Sequence, residues 1–361
     1  KFEPATDGVD IYTTIDRTLQ FKACSILEEA RKEYEATSAS LVIMDPKSGA
    51  IYAMCSTPEF NPNTYGHVEE VRVYNNTTIF TPYEPGSIFK PITMAAAINE
   101  GRLTPASIYH DRGVVDDVCE TKIRNADQKI YKDQTMTGVL ENSVNTGMVY
   151  VSQQLGKDAF KRYIHDFGFA AKTGIGLDSE VSGVVSSLDK NKGDKIDCYA
   201  ATASFGQGIT TTPLQMVNAF SVIANGGVLM KPFVVERIEH SDGRVERTKP
   251  KEIRRVLSQS TASLVSAMLV SVIDSGHATG AGVNGYYIGG KTGTAQIAGR
   301  GGYTAETNHS FVGFGPVDDP KFAMIVKFEK PQRRFSASTA APTFGKVARF
   351  IMNYYAIPPA R

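Results

Sequence analysis

Glu84-Pro-Gly-Ser-Ile-Phe-Lys-Pro-Ile-Thr-Met-Ala-Ala-Ala-Ile-Asn-Glu-Gly101 is the stretch on which the reading of this chain turns. Glu84-Pro85-Gly86 is a turn, the apolar run after Ser87 predicts a buried helix, and Gly101 is a good terminator for it. A serine at a helix N-terminus sits where unpaired backbone N–H groups point, which suits a place where negative charge develops. Lys90 falls one turn further on, on the same face. Pro91 lacks the N–H that would have bonded the Ser87 carbonyl, as fits a helix still in its first turn.

Two more short motifs follow. Ser143-Val-Asn145 begins 56 residues later (143 − 87), and Lys291-Thr-Gly293 a further 148 residues on (291 − 143). In that order, S-x-x-K, S-x-N and K-T-G describe a serine acyl-transfer site that uses lysine as its base. Each motif alone is weak, so context must separate members from decoys. Ser187-Leu-Asp-Lys190 lies in a polar loop with no apolar helix after it. Lys47-Ser-Gly49 stands between two apolar runs, Ser40–Met44 and Ala50–Met54, and predicts a β-hairpin turn. Lys172-Thr-Gly174 follows a helix end near Gly168 and reads as loop. Lys291 instead follows Gly285-Tyr-Tyr-Ile-Gly-Gly290, a strand-like run whose glycines would let a ligand backbone approach closely.

Composition sets the frame. The 361 residues fit one large domain or two. A net charge of +1 with 42% apolar residues is that of a globular chain and argues against nucleic-acid binding. No apolar run is long enough to span a bilayer, and no signal peptide stands at Lys1. Residues 1–12 read as the end of a truncated upstream region, and 13–361 as the domain proper. Cys24, Cys55, Cys119 and Cys198 show no metal-ligand spacing. Cys24 and Cys55 lie in apolar runs and read as small buried hydrophobes; a disulfide is open to an exported protein but cannot be assigned from spacing.

The element order is α+β. Asp16 can cap a helix with Leu19, Ala23, Ile26, Leu27, Ala30 and Tyr34 on its apolar face. Residues 88–170 show mainly helical patterns separated by loops. Further helices are predicted from Thr212 to Asn225, from Ser258 to Asp274 and from about Pro342 to Tyr355. Strands are predicted at Lys291, at His309–Phe314 and at Phe322–Phe328, with Asp318-Asp-Pro320 turning between the last two. Strands at both ends with helices between suggest one antiparallel sheet assembled from distant segments. No repeats are found.

Longer phrases carry a resemblance. Thr14-Ile-Asp16, Met44-Asp-Pro-Lys-Ser-Gly49, Pro58-Glu-Phe-Asn-Pro-Asn63, Glu84–Lys90, Ser204-Phe-Gly-Gln-Gly208, Lys291-Thr-Gly-Thr-Ala-Gln296, Ala340-Ala-Pro-Thr-Phe344 and Ile357-Pro-Pro359 together resemble the transpeptidase domain of class B penicillin-binding proteins, over nearly the whole chain. Ser-Val-Asn in place of Ser-Asp-Asn is a departure the family tolerates. The resemblance implies a penicillin-binding/serine β-lactamase-like fold, with a five-stranded antiparallel sheet between helical layers and an all-helical subdomain. It also implies anchorage by an upstream helix to the outer face of the cytoplasmic membrane. The implied partners are peptidoglycan stem peptides ending in D-Ala-D-Ala, β-lactam antibiotics, and a glycosyltransferase with other divisome or elongasome proteins; nucleic acid is not among them.

Roles follow residue by residue. Ser87 is the expected nucleophile, too weak unaided. Lys90 is the expected base and must be neutral, a state favoured by burial and by the nearby cation Lys291. Ser143 can relay a proton towards the leaving amine, and Asn145 can hold both Lys90 and the substrate amide. Lys291 would supply positive charge for the substrate carboxylate and the developing oxyanion, with Thr292 and Thr294 hydroxyls as carboxylate binders. Gly293 would leave the peptide unobstructed. The family pattern puts the oxyanion hole on the N–H groups of Ser87 and Thr294. His309 reads as a solvated or satisfied histidine. No metal or cofactor is expected. The expected activity is D,D-transpeptidation through an acyl-serine with release of D-alanine; a β-lactam sensor and a β-lactamase-like hydrolase are the alternatives. The 148-residue interval is long for a compact β-lactamase, and no glutamate motif for a deacylating water is seen.

Overall fold

The structure, a computed structural model, describes residues 8–68, 70–191, 193–299 and 301–360. Most of the expected upstream stretch, residues 1–7 of 1–12, lies outside the described residues. Of the remainder, Asp10–Tyr12 belong to an exposed strand, Asp10–Thr13, that pairs with Val235–Glu239 in a small separate sheet.

The central sheet has five antiparallel strands: β1 (Ser38–Met44), β2 (Ile51–Thr57), β3 (Gly289–Gly299), β4 (Gly302–Gly315) and β5 (Phe322–Glu329), in the order β3-β4-β5-β1-β2. Two strands from the first sixth of the chain thus join three from its end, through pairs such as Val42 with Ile325. Their burial explains the placement. From Ala39 to Met44, β1 is buried at every residue, as a strand covered on both faces must be, whereas β2 at the edge alternates buried and half-buried positions. Lys47-Ser-Gly49 is the turn between them, as its flanking runs predict. The strand β3 forms the opposite edge.

Helices cover both faces. On one lie α1 (Arg17–Glu33) and, packed on it, the C-terminal helix, Ala340–Tyr354. The Asp16 carboxylate caps α1 by accepting the Leu19 N–H at 2.9 Å, and Leu19, Ala23, Ile26, Leu27 and Ala30 are its buried stripe. On the other face α2 (Lys90–Asn99), α3 (Asn145–Leu155) and α4 (Lys157–Asp166) pack together beside α5 (Pro213–Ala224) and α6 (Gln259–Asp274). The C-terminal helix is therefore α7. Thr212 and Gln215 form a reciprocal capping box at the start of α5. Every residue from Pro213 to Ile223 is buried, so α5 is apolar all round and runs through the core.

Three features differ from the sequence reading. Ser87 lies in a 3-10 turn, Gly86–Phe89, and the α-helix proper starts at Lys90; the Ser87 carbonyl accepts the Lys90 N–H, the bond Pro91 cannot make. Within the mainly helical 88–170 stretch two short strand pairs also form, Ile108–Asp111 with Lys132–Thr135 and Val114–Val115 with Ile123–Arg124, which the sequence reading did not place. Neither Cys24 nor Cys55 is a simple buried hydrophobe: they are bridged to each other, and Cys119 to Cys198. Their positions 31 and 79 residues apart carried no signal of this pairing. Among the described residues no helix is long and apolar enough to cross a membrane.

Candidate active site

The three motifs converge through their side chains. All residues of α2 from Lys90 to Ile98 are buried, and burying each large aliphatic among them contributes about 1.5–3 kcal/mol, so Lys90 is held by the core itself. Its amine donates to the Ser143 carbonyl, bonds Ser143 Oγ at 3.1 Å and donates to Asn145 Oδ1 at 2.8 Å. Lys291 Nζ reaches the same Ser143 Oγ, also at 3.1 Å. One hydroxyl therefore stands between two lysines. Ser87 is half-buried, and no hydrogen bond joins its hydroxyl to Lys90 among the described residues.

Local structure explains how Ser143 faces inward. The helix Met136–Glu141 ends in a pair of bonds, Ser143 N–H to Leu140 and Val144 N–H to Val139, which is a Schellman closure with Ser143 at its left-handed position, φ 54°. That conformation costs a non-glycine residue about 1–2 kcal/mol. A glycine would relieve it but would carry no hydroxyl.

Electrostatics set the protonation of the pair. Lys90 is 0% and Lys291 1% exposed. Burial pushes the Lys90 amine well below its ordinary range, and the Lys291 charge pushes it further. Burial alone brings Lys291 down to about 7. With both amines depressed and sharing one hydroxyl, each charge on the pair disfavours the other. A neutral Lys90 has two hydrogens. Two of its three partners, the Ser143 carbonyl and Asn145 Oδ1, can only accept. Both hydrogens are thereby used, and the lone pair is left for a hydroxyl.

The glycines of β3 have a packing reason that the sequence reading did not include. A Cβ at Gly293 would stand 2.8 Å from Ser310 Oγ, 2.9 Å from Ile88 Cγ2 and 3.0 Å from the Pro85 carbonyl. It points at the seam between β3 and the Ser87 turn. At Gly290 it would meet the Phe311 ring at 2.5 Å, and at Gly289 the Phe314 ring at 3.2 Å. These glycines bring β3 onto the core. On the opposite face, the Thr294 hydroxyl already bonds Ser336, donating to its Oγ at 3.1 Å and accepting its N–H at 3.0 Å. Thr292 is half-buried beside Lys291, whose amine lies 3.4 Å from its hydroxyl.

Sequence reasoning missed Ser336, Asn125 and Asp111. The first supports Thr294; the others stand behind Asn145. None lies in a motif, and nothing in their neighbourhood along the chain announces the contact. His309 is a satisfied core histidine: it is 0% exposed, its ring nitrogens bond Thr307 and Thr339, and burial lowers it to about 4. The decoys also resolve. Ser187 bonds the Gly208 carbonyl, and the Lys172-Thr-Gly174 loop is braced by the Glu180 carboxylate, which takes the Thr173 and Gly174 N–H groups. Among the described residues no cluster of His, Cys, Asp or Glu is arranged to hold a metal ion.

A five-stranded antiparallel sheet between helices, with two buried lysines and a serine hydroxyl between them at one sheet edge, defines the penicillin-binding class of fold. Residues 39–349 match the penicillin-binding protein transpeptidase domain, and the chain belongs to that family. Stage V sporulation protein D of Bacillus subtilis is 35% identical over all of this chain and 56% of its own length. Penicillin-binding protein PbpB of Mycolicibacterium smegmatis is 30% identical, over 98% of this chain and 56% of its own length. The chain thus spans a little over half the length of these relatives. Among solved structures, penicillin-binding protein 3 of Mycobacterium tuberculosis complexed with aztreonam has a TM-score of 0.91 at 28% identity, covering 100% of this chain and 82% of that one.

Proposed function

We propose that this chain is the catalytic domain of a class B peptidoglycan D,D-transpeptidase working through an acyl-serine. The observation that carries the reading is the Ser143 hydroxyl bonded to two buried lysines, both depressed in pKa. A neutral Lys90 takes the Ser87 proton as Oγ bonds the carbonyl carbon of the penultimate D-alanine. The oxyanion is received by the N–H groups of Ser87 and Thr294, donors of a kind that contribute about 3–4 kcal/mol each. The C–N bond then breaks, the proton passes through Ser143 to the leaving amine, and D-alanine departs. An amine from a neighbouring stem peptide attacks the ester, gives up its proton, and restores Ser87. Lys291 and Thr292 hold the substrate carboxylate; Thr294 joins them by turning its hydroxyl from Ser336.

A β-lactam enters the same path, but its amine stays tethered after ring opening, so the adduct persists. The structures of the Mycobacterium tuberculosis protein complexed with aztreonam and with ampicillin support this, as does the name peptidoglycan D,D-transpeptidase borne by a relative from Mesostigma viride, 28% identical. Placement at the outer face of the cytoplasmic membrane, an upstream anchor, and a glycosyltransferase among its division or elongation partners belong to the same proposal.

Intact mass after incubation with a penicillin tests it, for the native chain and for Ser87→Ala. A single adduct lasting hours on the native chain and absent from Ser87→Ala is expected. Rapid loss of the adduct with drug consumed would move the assignment to a hydrolase. A stable adduct with no release of D-alanine from a D-alanyl-D-alanine peptide or thioester would move it to a sensor.

A further inference from the structure

We infer that Asn125, backed by Asp111, is a positioning residue that caps α3 from outside and, with the Arg124 carbonyl, aims the Asn145 amide at Lys90. The problem it solves is visible in the sequence. The residue before α3 is Val144, which has no acceptor for the helix's first N–H groups, and no local side chain caps this end. Asn125 Oδ1, from a segment 20 residues upstream, accepts the Asn145 N–H at 3.0 Å and the Thr146 N–H at 3.3 Å.

The orientation of each amide is forced by the group behind it. Asn125 Nδ2 donates to Asp111 Oδ2 at 2.9 Å and to the Lys129 carbonyl at 3.0 Å, both groups that can only accept. Its Oδ1 must therefore face α3. Asn145 Nδ2 likewise donates to the Arg124 carbonyl at 3.0 Å, so its Oδ1 must face Lys90, 2.8 Å away. Turning that amide over would set carbonyl against carbonyl and NH2 against the amine. Asp111, 1% exposed, anchors the sequence of bonds: it also takes the N–H groups of Gly113 and Tyr131, both at 2.8 Å, and the Thr146 hydroxyl at 2.6 Å. The order Asp111, Asn125, Asn145, Lys90 fixes where one hydrogen of a neutral Lys90 points; the Ser143 carbonyl takes the other, and the two together set the direction of its lone pair.

The kinetic half of this inference rests on Lys90 being the base; the structural half does not. Two measurements keep them apart, each on the native chain, Asn125→Ala and Glu180→Ala, the last a buried-carboxylate change in the remote 171–183 loop. In the unliganded protein, amide hydrogen exchange at Asn145 and Thr146 should speed up by roughly tenfold or more in Asn125→Ala, while α3 beyond Val149 stays protected. In rapid-mixing acylation by a chromogenic cephalosporin, the acylation step should slow by roughly 10–100-fold with pre-covalent affinity within about threefold. Glu180→Ala should leave both within about threefold. Unchanged exchange at Asn145 in Asn125→Ala overturns the cap; an unchanged acylation step, or an equal fall in Glu180→Ala, overturns the positioning role. If the native chain forms no adduct, the transpeptidase reading falls, and the exchange result alone decides the cap.

Discussion

Lys90 and Lys291 are kept where a charge is least welcome, and that placement costs stability in exchange for chemistry. The sign follows from linkage. Lys291 binds its proton near 10.5 when unfolded and only near 7 when folded, so between those values the unfolded chain holds more protons and stability rises with pH. Replacing it by an uncharged residue of similar length removes the penalty. Lys291→Met should therefore melt higher than the native chain by roughly 2–5 °C at pH 7, with the margin shrinking as pH rises and gone above about 10.5. The same change lifts the Lys291 charge from Lys90, whose amine should then rise towards its ordinary range. Residual acylation should consequently need a higher pH, its acidic limb moving in the alkaline direction. Thermal melts across pH and an acylation profile check the two halves, and a destabilised Lys291→Met at pH 7 would sink the first.

At the scale of elements, the seam between β3 and the Gly86–Phe89 turn sets the distance from Ser87 to Lys291. Glycines hold it from both sides. A Cβ on Gly206, at φ +82°, would fall 2.2 Å from the Gly86 carbonyl, and one on Gly293 would wedge between Ile88 and Ser310. Gly293→Ala should fold, lose about 1–3 kcal/mol to overpacking, and acylate roughly 10–100-fold more slowly because the strand moves off the turn. Denaturant midpoints and the acylation rate constant measure both; native kinetics in this variant would show the seam to be slack. This is also where legibility in the sequence ended. Lys90, Ser143, Asn145 and Lys291 could be grouped because each stands in a motif of fixed spacing, and α1, α5 and the hairpin at Pro46 because period and caps are local signals. Why Gly293 is glycine could not be read, because the answer lies in Ile88, Ser310 and Pro85, far along the chain. Asn125 was invisible for the same reason: a helix cap delivered from another segment leaves no trace beside the helix it caps.

For the whole molecule, a sheet closed by its two ends places the site where early and late segments meet, and the two cystines tie down different parts of that arrangement. Cys24–Cys55 joins α1 to the edge strand β2, at the far side of the sheet from β3. Cys119–Cys198 joins the 112–130 segment, which carries Arg124 and Asn125, to the helix Cys198–Ala203. With the paired positions 31 and 79 residues apart, loop-closure entropy assigns about 3–5 kcal/mol to each bridge. Their contributions to stability should thus be similar, and their contributions to the site should not. Under non-reducing conditions the intact protein should be lighter by two hydrogens per bridge. Replacing Cys119 and Cys198 by serine should free the 112–130 segment, loosen the cap on Asn145, and slow acylation by roughly tenfold at a temperature well below melting. The serine pair at Cys24 and Cys55, with a comparable fall in Tm, should acylate at close to the native rate, since β2 touches no residue of the three motifs in the sheet register. Equal kinetics in the two variants would mean that the 112–130 segment is held by its hydrogen bonds to Asp111, Asn145 and Thr146 without the cystine, and that the second bridge serves stability only.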